Sequence, residues 1–377
     1  MAYRILHFAD LHLDASFART GMSPSVARQR RAELRDALKR ILSTAVELRV
    51  DAITIAGDLY ENDRVSPDTL NFLRQQFGTL GALPVVIAPG NHDPLLPGCP
   101  YRQAEWPPNV FIFPSPELSP HKLAPDITLW GAAHDSPSFR GRLLERFKVQ
   151  GGGFNLLLLH ASDTSCVQIG KEAHCPFTPD QMATTGVNLA LLGHYHRASL
   201  LPEDKALYCY PGSPEPLGFD EEGPHYVLLT EIEDSGASVR LIQVNAVDYR
   251  RIEVDLTEAL SIEDIKEEIR RMGGESQLGK SLVRVVLKGA LHPDVELDLE
   301  SILRDCHESF RFMDVDDITY PGYDIEAIKQ ESTVRGLFLR KMLKRLELCG
   351  TEEEKRIIER ALLYGLQALG GREIAPV

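Results

Sequence analysis

Long apolar runs are missing from this 377-residue chain, so no transmembrane helix and no membrane association are expected. The opening stretch MAYRILHFAD lacks the charged-then-apolar pattern of an export signal and reads as a short strand, so a cytoplasmic protein is expected. No two of the six cysteines, at 99, 166, 175, 209, 306 and 349, form a C-x-x-C pair. That argues against zinc ribbons and dithiol redox motifs and leaves reduced, mostly buried thiols. Positive charge is also short: 41 Lys+Arg face 55 Asp+Glu, a formal net charge of −14. A protein that grips a phosphate backbone by bulk charge is basic. A nucleic-acid substrate would here have to be drawn by bound cations, by local basic patches or by a partner. Internal repeats and low-complexity tracts are absent as well. What remains is ordinary for a globular protein, with 43% hydrophobic and 25% charged residues. The length suggests two or three domains.

The first half of the chain alternates strand and helix. YRILHFAD, DAITIAGDLY and PVVIAPGNHDP are apolar runs that end in polar residues, and NLLLLHAS and LALLGHYH are apolar runs that end in histidine. Between them, SPSVARQRRAELRDALKRILSTAVELRV has helical periodicity, with Ala32, Leu34, Leu38, Ile41, Leu42 and Ala45 on its apolar side. SPDTLNFLRQQFGTLG is a second helix, with Ser66 as N-cap, Pro67 at the first position and Gly78 or Gly81 near its end. KALYCYPGSPEP contributes a later strand, and PHYVLLTEIE with SVRLIQVNAV reads as a hairpin around Asp234–Ser235–Gly236. Near residue 248 the pattern shifts to a small βαβαβ unit with helices at about 261–272 and 298–309. After Pro321–Gly322 the chain reads as helical, one helix from 324 and one from 351, with Gly350 and Gly370 as C′ residues. The expected domains are 1–247, 248–322 and 323–377.

Chemistry gathers at the carboxyl ends of those strands. The first supplies Asp10, His12 and Asp14, and the second Asp58, Glu61 and Asp63. The third supplies Asn91 and His92, the fourth His160, and the fifth His194 and His196. Ligand sites of open α/β sheets form at such strand ends. Carboxylate, amide and imidazole together suit a divalent first-row metal such as manganese, iron or zinc better than calcium or a thiolate-bound zinc. One ion cannot use so many donors. Two ions about 3.5–4 Å apart, sharing a carboxylate, suit an in-line phosphoryl displacement. Each motif alone has a plainer reading as a turn or a surface histidine pair; their joint order at strand ends favours one site.

DLH at 10–12, GDLYE at 57–61, GNHD at 90–93, His160 and GHYH at 193–196 together resemble the calcineurin-like metallophosphoesterases. YPGSPEPLGFDEEG at 210–223 is similar to the segment after the last metal motif in SbcD-type DNA-repair exonucleases, including the YhaO-like branch. The resemblance covers about residues 4–225, and the likeness of 248–320 to that family's small capping domain rests on arrangement. It implies an α/β fold: a two-sheet αββα sandwich with a smaller α+β capping domain and C-terminal helices. It implies that Asp10, His12, Asp58 and His196 hold one metal, and that Asp58, Asn91, His160 and His194 hold the other, with Asp58 bridging. His92 is expected to face the scissile phosphate and protonate the leaving oxygen, with Gly90 giving the turn between Asn91 and its neighbour. Asp93 is expected to orient His92 or that turn. His160 lacks the glycine that often follows it in the family. The implied cofactors are two divalent ions, manganese foremost, with iron or zinc possible. The implied partners are DNA, a coiled-coil ATPase of the SbcC or YhaN kind, and a second copy of the chain in a homodimer.

Other residues read as structural: His134 after WGAA, and His174–Cys175 in a loop contact. Arg28, Arg30, Arg31, Arg35, Lys39 and Arg40 read as a solvated helix face, as do the cations of FRGRLLERFK at 139–148. The stripe Val334, Leu337, Phe338, Met342 and Leu346 reads as packed in a helical hairpin, with partner docking as the other reading. Three functions stay open: a manganese-dependent DNA exonuclease or endonuclease, a small-molecule or nucleotide phosphoesterase, and a scaffold subunit without catalysis. The extra domain and the PGSPEP segment favour the first. The acidic charge favours the second, and the intact ligand set opposes the third.

Overall fold

Short apolar runs, buried on both faces, give the first part of this chain two sheets packed face to face. The computed structural model describes residues 2–166, 172–202, 206–274, 281–292 and 295–370. It divides into two units, Met1–Asp248 and Tyr249–Val377.

The first unit begins with β1 (Tyr3–Phe8), α1 (Pro24–Glu47), β2 (Ala52–Ile55), α2 (Pro67–Gly78), β3 (Val85–Ile87), α3 (Pro100–Gln103) and β4 (Val110–Ile112). It continues with β5 (Ser119–Ala124), β6 (Ile127–Gly131), β7 (Phe154–His160), α4 (Pro179–Thr184), β8 (Leu189–Gly193), β9 (Ser199–Leu201), β10 (Tyr208–Tyr210), β11 (Tyr226–Glu233) and β12 (Gly236–Gln243). One sheet runs β12-β11-β1-β2-β3-β4, the other β5-β6-β7-β8-β10-β9. The strands that carry the site, β1, β2 and β3 in one sheet and β7 and β8 in the other, pair in parallel. Their carboxyl ends therefore lie at one edge of each sheet.

Between the sheets Ile5, Ala52 and Val86 pack with Leu129, Leu156, Leu158 and Leu191. The alternate residues Leu6, Phe8, Ile53 and Ile87 face outward onto Leu34, Leu38 and Ile41 of α1 and Leu73 and Phe77 of α2. On the other outer face, Leu157, Leu159, Ala190 and Leu192 pack with Met182 of α4. This is the expected αββα sandwich. Four of the six thiols are buried, Cys166 is exposed and Cys349 half-buried.

Helix α1 starts where Ser23 accepts from Val26 N, with Pro24 at the first position. Two expectations for it fail. Ala32 is exposed, and Arg30 is buried in its place. The basic face is not simply solvated. Arg30 donates to Pro216 O at 2.8 Å, Arg40 to Glu215 at 2.6 Å, and Arg35 to Asp68 at 2.6 Å. A second side of the helix packs on the 215–216 segment, and the guanidinium groups satisfy polar atoms there.

The second unit holds β13 (Tyr249–Asp255), α5 (Ile262–Gly273), β14 (Leu282–Lys288), β15 (Ala290–Leu291), α6 (Leu299–Cys306), β16 (Phe312–Asp317), β17 (Tyr320–Pro321), α7 (Ile325–Gln330), α8 (Val334–Glu347) and α9 (Glu352–Leu369). Strands β13, β14 and β16 form the parallel sheet of a βαβαβ unit. The single helix expected from 324 is broken into α7 and α8, because Thr333 caps a new start by accepting from Gly336 N. Leu339 and Met342 carry the α8 packing, while Val334 and Leu337 of the expected stripe are 71% and 49% exposed. The C-cap of α8 is Leu348, and Gly370 is itself the C-cap of α9 with φ −84°, so neither glycine is a left-handed C′ residue. Among the described residues no helix is long and apolar enough to cross a membrane.

Candidate metal centre

At the carboxyl ends of β1, β2 and β8 the chain turns sharply enough to force L-residues into the left-handed region. Asp10, His12, Asp58 and His194 have φ of 55°, 50°, 52° and 104°. Such positions cost about 1–3 kcal/mol each and persist where the surroundings over-determine them. Backbone bonds fasten these turns: Asp10 N donates to Gly57 O at 3.1 Å, His12 N to Asp58 O at 2.9 Å and Leu13 N to Leu59 O at 3.0 Å.

Three glycines let the strand ends close around His160. A Cβ on Gly57 would lie 2.6 Å from Gly90 Cα, one on Gly193 would lie 2.0 Å from Ala56 O, and one on Gly90 would lie 2.4 Å from Asp58 Oδ1. Gly90 was expected to supply a turn. Its φ is not positive, and what its missing side chain provides is room for Asp58 and His160.

The ligand types converge. Asp10, His12 and His196 offer atoms within 4.8 Å of one another, and so do Asp10, Asp58 and His160. Asp58 Oδ2 lies 3.7 Å from His12 Nε2 and 3.3 Å from His160 Nε2, so its carboxylate stands between the two sets. His160 Nε2 is also 2.9 Å from Asn91 Oδ1 and 3.2 Å from His194 Nδ1. The seven residues singled out at the strand ends as ligands are thus brought to one place.

The donor set fits metal ions on the geometry of the orphaned atoms. His12 donates Nδ1–H to Glu61 Oε1 at 2.7 Å, which leaves Nε2 buried and without a hydrogen-bond partner among the described residues. His160 Nδ1 lies 2.8 Å from Ala56 O, and His196 Nδ1 lies 2.6 Å from Glu221 Oε1, so both also turn Nε2 to the cluster. A ring nitrogen fixed by a carbonyl or carboxylate is the usual way in which a protein aims the other nitrogen at a metal. Buried acceptors facing one another need a cation between them. Without one, protons take that place: burial disfavours charge on His160, yet Asp58 and Asp10 push it up to about 9. His196 rises to about 9 against its burial, through Glu221 and Asp10. Burial favours a neutral Asp58, but His160, His12 and His92 hold it well below the usual carboxylate range.

His92 differs from the others. Its side chain is 44% exposed, and its ring lies edge-on to His12 with centroids 4.7 Å apart. Nδ1 is 2.9 Å from Glu61 Oε2, and its backbone N–H donates to Asp58 Oδ1 at 2.8 Å. Burial works against a charge, but Glu61 and Asp58 push its pKa up to about 9. The ring is held at the edge of the cluster by Glu61 while its side chain stays partly open to solvent.

Residues 3–198 match the protein-family description "Calcineurin-like phosphoesterase". The chain belongs to that family. Among curated relatives, the uncharacterized metallophosphoesterase YhaO of Bacillus subtilis is 29% identical over 299 residues, 75% of this chain and 71% of that protein. The DNA double-strand break repair protein Mre11 of Haloferax volcanii is 26% identical over 76% of this chain and 61% of its own length. Mre11 of Methanopyrus kandleri is 26% identical over 88% of this chain and 76% of that protein. As a calcineurin-like phosphoesterase, the chain carries an Asp/His cluster suited to divalent metal ions.

Two carboxylates of this phosphoesterase had no assigned role from the motifs. Glu61 bridges His12 and His92, and Glu221 joins His196 to Ser213, whose Oγ donates at 2.7 Å. Both are held near 2, where the histidine hydrogen bonds outweigh burial. Glu61 sits inside GDLYE and Glu221 inside the PGSPEP segment, so their places were visible but their contacts were not. Asp93 orients the turn and not His92: it accepts from Gly90 N, Asp58 N and Leu59 N at 2.7, 2.9 and 2.8 Å, and from Tyr101 OH at 2.6 Å. Asp14 accepts from Ser66 N and Thr69 Oγ1 and serves the start of α2, outside the cluster. His134 is buried, with Nε2 2.7 Å from His160 O, and so supports the backbone of a candidate ligand residue. His174 stands beside His194 with ring centroids 5.2 Å apart.

Proposed function

We propose that this phosphoesterase is a metal-dependent DNA exonuclease or endonuclease. Manganese is the first choice of metal, with iron or zinc as the alternatives. The observation that supports the reading is His92, an exposed imidazole anchored by Glu61 at the edge of a buried ligand cluster. Phosphodiester hydrolysis expels a sugar alkoxide, and that oxygen needs a proton as it leaves. When bound, two divalent ions supply Lewis-acid polarisation of the phosphoryl group and a nucleophile near neutral pH.

This chain's own residues do the rest. Asp10, His12, Asp58 and His196 would hold one ion, and Asp58, Asn91, His160 and His194 the other. His92 delivers its proton to the leaving oxygen and recovers one from solvent through its exposed edge. Glu61 keeps the ring of His92 in register with that of His12. The relatives named as DNA repair proteins favour DNA over other diesters. A coiled-coil ATPase of the SbcC or YhaN kind would bring the DNA affinity that a chain of net charge −14 lacks. The same charge favours a second reading, a small-molecule or nucleotide phosphoesterase with the same ligands.

The test strips the protein with chelator, restores manganese, and assays end-labelled duplex and single-stranded DNA beside a small phosphodiester and a phosphomonoester. His92→Ala runs as the contamination control. Shortening of DNA that needs both manganese and His92 is the expected result. Hydrolysis of the small esters with DNA untouched, even after the ATPase is added, moves the function to the second reading.

A further inference from the structure

Two series of imidazoles line the candidate metal centre, and each ends in a ring that is not a candidate ligand. In one, the rings of His196 and His12 have centroids 5.1 Å apart, and His92 follows His12 at 4.7 Å. In the other, His160 and His194 lie 5.1 Å apart, and His174 follows His194 at 5.2 Å, edge-on at 72°. His92 has a role in the reading above. His174 has none.

The backbone fixes His174 in that place. Its N–H donates to Ser162 Oγ at 2.9 Å, and its carbonyl accepts from Ser162 N at 2.9 Å. Ser162 is fully buried just beyond β7, so His174 is fastened to the end of the strand that carries His160. Cys175 is buried, has φ of +43° and donates its N–H to Phe139 O at 3.1 Å. Phe177 pairs with the same stretch, donating to Ser162 O at 3.0 Å and accepting from Thr164 N at 2.9 Å. A ring that only filled space beside His194 could be wholly apolar. His174 instead buries its Nδ1 without a hydrogen-bond partner among the described residues, and the residue is 8% exposed. Buried polar atoms are nearly always paired, and one that is not marks a place where a ligand, ion or water belongs.

We propose that His174 donates a hydrogen bond from its ring to a non-bridging oxygen of the bound phosphoryl group, at the edge beside His194 as His92 stands at the edge beside His12. The inference rests on the phosphoester chemistry of the proposed function and holds for both substrate readings. An imidazole carries at least one N–H whether neutral or charged, so the contact needs no change of protonation. It positions the phosphoryl group while His92 serves the leaving oxygen.

Inorganic phosphate, which has no leaving group to protonate, tests this on the full-length, manganese-loaded protein freed of excess metal. Calorimetric titration measures its affinity for the parent and two variants. His174→Phe keeps a ring against His194 and removes both nitrogens. It should weaken phosphate binding about tenfold, the loss of one hydrogen bond to a charged group. His174→Asn, whose amide nitrogen can take the place of Nδ1, should restore most of that affinity. Elemental analysis should find the same metal content in all three proteins. Unchanged phosphate affinity in His174→Phe overturns the proposal. Loss of metal in both variants, or weak phosphate binding that His174→Asn does not recover, also overturns it and makes His174 a packing support for His194. Phosphate binding is read without DNA and without turnover, so a failure of the nuclease reading shows in the DNA assay and a failure of this contact shows here.

Discussion

Glu61 Oε2 lies 2.9 Å from His92 Nδ1, while the other oxygen of the same carboxylate takes the Nδ1–H of His12. One side chain thereby sets the tautomer of a candidate ligand and the orientation of the candidate proton donor. The arrangement makes metal binding and proton delivery depend on a single rigid fork.

Glu61→Gln should separate those two duties only poorly. An amide has one acceptor oxygen, so at most one imidazole keeps its partner, and its NH2 opposes the other. Loss of such an orienting group costs about 10–100-fold in metal affinity or activity. Steady-state hydrolysis of a small phosphodiester, with metal content measured on the same sample, should show both falling. Unchanged turnover with full metal content would mean that the fork is ornamental.

His92→Ala should lower turnover by about 10²–10⁴-fold, the usual contribution of a positioned acid, with both metals retained. Asp58→Ala should lose metal as well, because Asp58 stands between the two ligand sets at 3.7 Å from His12 and 3.3 Å from His160. Elemental analysis beside kcat decides between the roles. Equal metal loss in the two variants would place His92 among the ligands.

The ligand types were legible because each closes an apolar run, and an apolar run that stops at a carboxylate or imidazole is a strand delivering chemistry to its end. Asp58, Asn91 and His160 needed no structure to be noticed. Glu61 and Glu221 did, since an orienting group is defined by a partner 49 or 25 residues away, and no local pattern encodes that distance. Short strands escaped for a related reason. Strands β4 and β9 are three residues each and half-buried throughout, too short to show a period, and β5 alternates with polar residues. Arg30 misled in the other direction. Its charge suggests solvent, but the 215–216 segment packs on α1 and gives the guanidinium a carbonyl to bind.

Asp93 should matter to stability and metal alike. It is fully buried and takes three backbone N–H groups and one phenol. Asp93→Ala leaves those donors without acceptors, at about 1–3 kcal/mol for each one that stays dry. It also frees the Asp58 amide, so the strained turn that aims the Asp58 carboxylate loses its tether. A fall of about 3 kcal/mol or more in urea unfolding, together with weaker metal retention, is expected. Tyr101→Phe removes only the phenol bond and should cost about 1 kcal/mol with metal retained. Similar losses in both variants would show that the backbone contacts of Asp93 carry little.

His7 offers a prediction about pH. It lies in β1 between the sheets, with Nδ1 3.0 Å from Thr54 Oγ1 and Nε2 3.1 Å from Leu192 O, so it joins the two layers just behind the metal centre. Burial pushes its pKa down to about 4. The unfolded chain takes up this proton near the ordinary value of about 6.5 while the folded protein does not. The contribution of a neutral His7 is therefore complete above about pH 6.5 and drains away as the pH falls toward 4. The loss amounts to about 2 kcal/mol at pH 5. His7→Gln removes the titration. Urea unfolding of both proteins, stripped of metal so that ligand affinity does not enter, should show the parent's advantage over the variant shrinking by about 2 kcal/mol between pH 7.5 and pH 5. A constant difference across that range would mean that His7 accepts a proton in the folded state, and that the link between the sheets tolerates a charge.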